Sequence, residues 1–306
     1  ESSRGCPFNC SYCMSSIDKS VRYYSIERTK EDLKRFIDSP IKLLKFVDRT
    51  FNLSKEKYMA IWKFLLENYR EGITFHFEIN ANIFDDETLD FLETVPKGYF
   101  QFEIGVQTID AQAMKSIGRV NNLEKLEYNI RRISRNIHLH LDLIAGLPYE
   151  TYEKFRYSFD YVHSMKPEMI QLGFLKLLKG TKMYEEREKY NYKYFSKPPY
   201  EVFSNDFISF AELKNLEKVL DFYYNSEKFP ESVQWLIENH YESAFSFYED
   251  IADSFDKKGY LKVSHKESTL FTLLYEFYLE KNFKDREIFV EYLKYVREDR
   301  ILSRVV

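Results

Sequence analysis

Beyond Cys13 the chain has no cysteine at all, and its three cysteines, Cys6, Cys10 and Cys13, fall within eight positions of one another. Thiols grouped in this way, with no signal peptide ahead of them, argue for the reducing setting of the cytoplasm. No apolar run approaches the ~18 residues of a membrane span, so no membrane partner is expected. Net charge is only −4 although 31% of residues are charged, and no nucleic-acid partner is expected from that balance. Glycine and proline are scarce, and no internal repeat or low-complexity tract is evident. Aromatic residues, at 18%, are plentiful, but so are Lys, Asn and Ile, which a compositional bias explains as well as a binding surface would.

What is there begins at Arg4-Gly5-Cys6-Pro7-Phe8-Asn9-Cys10-Ser11-Tyr12-Cys13, with the spacing C-x3-C-x2-C. Thiolates this close converge on something needing several soft ligands, an iron–sulfur cluster or zinc. A structural zinc site wants four ligands, and no fourth cysteine exists. A cubane cluster held by three cysteines keeps one iron free of protein, which is the chemically useful feature.

Along the chain, 26–38 reads as a helix with Thr29-x-x-Asp32 as a capping box, and Ser54 as the cap of a helix to about Tyr69. Strands are expected at Leu43–Asp48, Thr74–Asn80, Tyr99–Gln107, His138–Ala145 and Met169–Leu178, with helices between them. This βα alternation implies a parallel sheet. After Ser196-Lys197-Pro198-Pro199 only helical spacing is found, near 209–225, 231–250, 266–281 and 285–297. Two domains are expected, 1–190 and an α-helical 191–306. Functional groups of a parallel barrel gather at the carboxyl ends of its strands, where Glu78, Gln107 and Asp142 interrupt apolar runs. His76 and His140 share strand parity with Glu78 and Asp142 and read as satisfied interior residues. Asn80, Asn82 and Lys176 lie near the expected mouth.

The cysteine motif, with Tyr12 in its aromatic place, resembles the signature of the radical S-adenosylmethionine (SAM) superfamily. Residues 3–184 resemble its barrel, in particular that of cobalamin-binding radical SAM proteins and oxygen-independent coproporphyrinogen oxidases. The resemblance implies an α/β fold, a partial (β/α)6 TIM-like barrel with a truncated first strand, followed by an all-α C-terminal domain. It implies a 4Fe–4S cluster on Cys6, Cys10 and Cys13, with Tyr12 shielding it. It also implies roles in SAM binding. Glu78 stands where a strand carboxylate contacts SAM, and Gln107 of Gly105-Val106-Gln107 where a glutamine reaches the adenosyl group. Arg119 stands where an arginine holds the SAM carboxylate. Asp142 of Asp142-Leu143-Ile144-Ala145-Gly146-Leu147-Pro148 stands where a carboxylate bonds the ribose, and backbone near Leu175 would pass the adenine. At the second strand Phe46-Val47-Asp48-Arg49-Thr50-Phe51 departs from the usual Gly-Gly-Glu turn, leaving Asp48 or nearby backbone for the SAM amino group.

The reaction so implied is reductive cleavage of SAM to a 5′-deoxyadenosyl radical that abstracts hydrogen from an unknown substrate. It is fed by an electron donor such as flavodoxin or ferredoxin. Cobalamin, carried by an upstream domain, is implied by the branch; separately, the chain opens directly on the cysteine loop and is expected to be a fragment. Rival readings are a tRNA-modifying radical SAM enzyme, which should bring a basic RNA-binding module, and a non-catalytic iron–sulfur protein, which would not need Gln107, Arg119 and Asp142.

Overall fold

In a computed structural model of the chain, residues 1–226, 230–263 and 265–302 are described, and the chain divides into compact units 1–210 and 211–306. The last four residues of the expected helical domain lie outside the described residues. Among the described residues no helix is long and apolar enough to cross a membrane.

The first unit opens with β1 (Ser3–Arg4), which pairs antiparallel with β2 (Arg22–Tyr23) and so clasps the base of the cysteine loop. After α1 (Ile26–Ile37) come five parallel strands in sequence order: β3 (Leu43–Lys45), β4 (Thr74–Ile79), β5 (Phe100–Gln107), β6 (His138–Ala145) and β7 (Met169–Phe174). Between them run α2 (Lys55–Glu67), α3 (Asp86–Glu93), α4 (Ala111–Ser116), α5 (Leu123–Ile133) and α6 (Tyr152–Ser164), and α7 (Lys182–Glu185) follows β7. This is a half-barrel: each strand ends at the same rim, and each helix returns the chain to the opposite one.

Local signals place most helix starts. Ser25, Asp85, Asp110, Asn122, Thr151 and Thr181 each accept a hydrogen bond from a backbone N–H in the first turn of the helix that follows. Two expected caps differ. Ser25 caps α1, and Thr29 sits inside it, donating to the Ser25 carbonyl oxygen at 3.0 Å. Ser54 holds the cap position of α2 without a side-chain hydrogen bond.

Alternation along the strands gives the sheet two unlike faces. Phe75, Phe77, Phe100 and Phe102 point outward into a core around Trp62 of α2, whose ring centroid lies 6.0 Å from that of Phe77 and 5.6 Å from that of Phe102. His76, Glu78, Gln101, Glu103, His140 and Asp142 take the other parity and line the concave side. Trp62 is fully buried. Its replacement by Ala is expected to destabilise the unit by roughly 3–5 kcal/mol, read by urea denaturation, because the sheet cannot collapse to fill the void.

β3 and β7 are shorter than expected for identifiable reasons. The chain leaves β3 so that Asp48 can bond to residues near the start of the chain. Past Phe174 the backbone pairs with a returning segment: Val202 N–H donates to Leu175 O and Leu177 N–H to Tyr200 O, both at 2.9 Å. That segment belongs to a hairpin of β8 (Lys193–Tyr194) and β9 (Val202–Ser204), too short to leave a periodicity in the sequence.

The second unit is helical among its described residues: α8 (Phe210–Ser226, its first residue closing unit 1), α9 (Pro230–His240), α10 (Ala244–Lys257), α11 (Glu267–Glu280) and α12 (Arg286–Leu302). Aromatic rings fill its interior, with Phe222 against Phe255 at 4.9 Å and Tyr278 against Phe289 at 4.3 Å. The single helix expected over 231–250 is two, because Ser243 caps α10 by accepting from Ser246 N–H.

Candidate active site

The cysteine loop is held by backbone contacts that do not involve its thiols. Ser11 N–H donates to Ile117 O at 2.9 Å, at the end of α4, and Met183 N–H of α7 donates to Ser11 O at 2.8 Å. Gly5, at φ +96°, passes so close to Ser20 O that no Cβ fits, and a Cβ on Gly118, at φ +69°, would lie 2.5 Å from Asn9 O. The loop therefore has its shape independently of what the sulfurs bind.

Cys6 is buried, with its Sγ 3.7 Å from Thr50 Oγ1, while Cys10 and Cys13 are partly exposed, and none forms a disulfide. All three line one cavity of about 470 Å³, within the range of cofactor sites. Among the described residues no three His, Cys, Asp or Glu side chains converge on a single metal-ion position. A cubane needs no such convergence, because its thiolates bind separate corners of the cube. Three free thiols around an open cavity fit a 4Fe–4S cluster and do not fit a closed tetrahedral zinc site.

The same cavity is lined by Tyr12, Glu78, Asn80, Gln107, Arg119 and Asp142. Arg119 stands beside the loop: one terminal nitrogen donates to Gly105 O at 2.6 Å, and the other lies 3.5 Å from the Tyr12 hydroxyl and 4.0 Å from Cys10 Sγ. Gln107 adopts φ +71° at a register shift between β5 and β6, an uncommon conformation for a side chain of its size. Its amide folds back over Gly105, where a Cβ would collide with Nε2, so this glycine makes room for the glutamine. Gln107 Oε1 is buried with no hydrogen-bond partner in the protein, the state of an acceptor that a ligand completes.

Two anticipated residues are not on the lining of this cavity. Asp48 is fully buried, and its carboxylate accepts from Ser2 N–H at 2.9 and 3.0 Å and from the Ser2 and Ser3 hydroxyls at 2.7 Å. It ties the start of the chain to the end of β3 and does not line the cavity. Leu175 is buried, with its N–H given to Ala145 O and its carbonyl to Val202 N–H. Asn82 bonds to the Asn121 side chain and the Asn122 backbone, and the backbone of Lys176 forms an antiparallel β-bridge with that of Glu201. The cavity also includes Arg49, Thr50 and Glu103, which the sequence reading did not single out.

Electrostatics divide the three cavity carboxylates. Burial, reinforced by Glu103 and Glu78, pushes Asp142 up to about 8, although Gln171 Nε2 donates to it at 3.2 Å. Burial and Glu103 likewise raise Glu78. Glu103 goes the other way: the His76 imidazole, with Nε2 3.2 Å from its carboxylate, holds it below the usual range despite burial. Behind them His140 lies 3.0 Å from Gln101 and 2.9 Å from His138, and burial together with those imidazoles depresses it to about 4, so the ring is neutral.

Residues 1–162 match the family described as the Radical SAM superfamily, and residues 188–297 match one described as a protein of unknown function, DUF4080. The latter match begins inside the first unit, so it takes in the β8–β9 hairpin as well as the helices. The chain is 28% identical over 169 residues to the cobalamin-dependent radical SAM methyltransferase TokK of Streptomyces tokunonensis, covering 51% of this chain and 24% of TokK. In structure it resembles the radical SAM methyltransferase TsrM of Kitasatospora setae, solved with cobalamin and a 4Fe–4S cluster, at TM-score 0.53 and 18% identity, over 61% of this chain and 36% of that one. It also resembles the cobalamin-dependent SAM radical enzyme OxsB, at TM-score 0.56 and 13% identity, over 100% of this chain and 55% of that one. The chain thus spans between about a quarter and about half the length of these relatives. At such identities the two structural likenesses speak for the fold.

Proposed function

Because the chain belongs to the radical SAM superfamily, we propose that this cavity binds a 4Fe–4S cluster and SAM, cleaves SAM reductively and takes hydrogen from a substrate. The observation that carries the reading is that Cys6, Cys10 and Cys13 share one cavity with Gln107, Arg119 and Asp142, residues far apart in sequence. When bound, the cluster would supply the one electron that splits the sulfonium into methionine and a 5′-deoxyadenosyl radical able to take hydrogen from a substrate.

The chain's own residues bind and orient. The three thiolates hold the cluster. Arg119, steadied by the Gly105 carbonyl, presents its remaining N–H groups to the SAM carboxylate. Gln107 Oε1 accepts from the adenosyl group, and Asp142 accepts from the ribose hydroxyls. Glu78 faces the SAM amino group, since it lines the cavity whereas Asp48, bonded to Ser2 and Ser3, does not. A donor such as flavodoxin or ferredoxin, in a reducing cytoplasm, supplies the electron. Anaerobic reconstitution is expected to load about four irons and four sulfides. Dithionite and SAM should then yield 5′-deoxyadenosine. Stoichiometric zinc in place of iron, or no 5′-deoxyadenosine from fully loaded protein, would overturn the reading.

The affinity for SAM should depend on pH through Asp142. Its carboxyl is protonated in the free protein up to about pH 8, and the ribose hydroxyls bind the ionised form. Binding below pH 8 therefore releases a proton, so the Kd should tighten by up to about tenfold per unit as pH rises toward 8, then level off. In Asp142→Asn the part of that slope due to Asp142 should vanish, leaving only the contribution of Glu78, the other raised carboxyl. Isothermal titration in buffers of different ionisation enthalpy reads the proton release.

The finer reading is methyl transfer assisted by cobalamin, supported by the names of TokK and TsrM. It is checked by titrating hydroxocobalamin into the protein as its gene encodes it and following visible absorbance. No change, with SAM cleavage intact, would remove methyl transfer and leave hydrogen abstraction.

A further inference from the structure

Three carboxylates line the cavity, and SAM binding as described employs two of them. Glu103 remains without a task, yet it is the one most firmly held. His76 is 3% exposed, and its Nε2 lies 3.2 Å from Glu103. The other ring nitrogen, Nδ1, is buried with no partner. A bare lone pair is cheaper to bury than an N–H, so the proton sits on Nε2 and is donated to Glu103.

The groups facing Glu103 from neighbouring strands reinforce this. On β4 they are His76 and Glu78, on β6 the neutral His140 and Asp142, and on β7 Gln171, which donates to Asp142 and, after His76, helps to hold Glu103 low. Glu78 and Asp142 are both raised toward the protonated form, while Glu103 is kept ionised. The cations on the cavity lining, Arg49 and Arg119, belong to the loops at the rim, whereas Glu103 belongs to the strand wall.

We propose that Glu103, fixed by His76, is a negative charge standing in the cavity before any ligand binds, by which it prefers S-adenosylmethionine, a sulfonium, to S-adenosylhomocysteine, whose sulfur is an uncharged thioether. The inference rests on the cavity being a SAM site. The two ligands share their adenosine, amino and carboxylate groups, so contacts made by Glu78, Gln107, Arg119 and Asp142, and the proton that Asp142 gives up on binding, are common to both and cancel in the ratio of affinities. What differs is a methyl group and one positive charge, and a charge is felt across several ångströms of a poorly solvated cavity.

The test measures the Kd of each ligand by equilibrium dialysis on anaerobically reconstituted protein, with iron content as the check on folding. In Glu103→Gln the preference for S-adenosylmethionine should fall by roughly tenfold or more while the Kd of S-adenosylhomocysteine changes by less than about twofold. Glu103→Asp, which keeps the charge, should keep most of the preference and decides the matter if the Gln variant loses its iron. In His76→Gln the preference should survive at pH 8 and be lost at a higher pH than in the wild type as the solution is acidified, since Glu103 then protonates more readily. A purely structural role would not move that profile. Equal weakening of both ligands in Glu103→Gln, or no change in either, overturns the inference. A wild type that holds its cluster but binds no SAM removes the underlying reading and this one with it, and it is recognised before any variant is made.

Discussion

Cys10→Ala is expected to abolish iron loading and 5′-deoxyadenosine formation while leaving the fold of the first unit intact. The separation of the two outcomes follows from how the loop is held. Its anchors are backbone bonds, from Ser11 to Ile117 and from Met183 to Ser11, with Cys13 N–H donating to Cys10 O at 3.1 Å. None requires a thiol. Removing one sulfur therefore removes a ligand and little packing, and the thermal midpoint of the cluster-free protein should move by no more than a few degrees. Cluster binding, by contrast, has no protein substitute, since no cysteine lies outside the loop. Burial pushes the Cys10 thiol up, and the nearby Arg119 guanidinium opposes that, so ligation has to draw off a proton as the metal enters. Cys10→Ser, a harder oxygen ligand, should recover little of the iron. Iron retained in full by Cys10→Ala would mean that the loop does not hold a cluster through this residue.

The parts of this site that were legible in the sequence are those written locally. The cysteine spacing lies within eight residues. The half-barrel strands announce themselves by alternation, as in Phe75-His76-Phe77-Glu78, where one parity must be buried against Trp62 and the other is left for a polar interior. Glu103 carries the same signal. Gln101-x-Glu103-x-Gly105 has the parity of His76-x-Glu78, and applying the period of two along all of β5, rather than only at its end, would have found it. Arg49 and Thr50 reach the cavity from the turn after β3, where no periodicity exists to read.

What was not legible depends on pairings across long stretches of chain. In the sequence Asp48 closes an apolar run as Glu78 does, and nothing near it reveals that Ser2 and Ser3, more than forty residues earlier, bond to its carboxylate. Leu175 continues an apolar strand, and only the return of residues 200–202 shows that its backbone is already paired. The hairpin that makes this pairing has strands of two and three residues, which a polar, aromatic stretch of sequence conceals. Helix starts behave in the same way on a smaller scale. A true cap such as Ser25 and a residue of the same type one turn inside the helix, Thr29, differ only in backbone angles that the sequence does not print.

Arg119→Ala should weaken SAM binding by roughly 2–5 kcal/mol, the range for leaving a desolvated charge without its partner, which is between about thirty-fold and several thousand-fold in Kd. The residue also serves the protein, since it donates to Gly105 O and stands by Tyr12, so the variant alone would confound ligand binding with support of β5. A ligand without a carboxylate separates the two. On the proposed reading, 5′-deoxyadenosine should make the same adenosyl contacts with Gln107 and Asp142 but offer Arg119 nothing. If Arg119 clamps the carboxylate, its loss should leave 5′-deoxyadenosine affinity within about threefold of the wild type while SAM affinity collapses. If it merely supports β5, both ligands should weaken together. Arg119→Lys sharpens the distinction. A lysine ammonium can satisfy the Gly105 carbonyl or meet the carboxylate as a point charge, but it cannot do both with the fixed fork of a guanidinium. SAM affinity in that variant should therefore fall between the wild type and the Ala variant. A Kd for SAM that is unchanged in both variants would show that the carboxylate is held elsewhere, with Arg49 the other cation on the cavity lining to test.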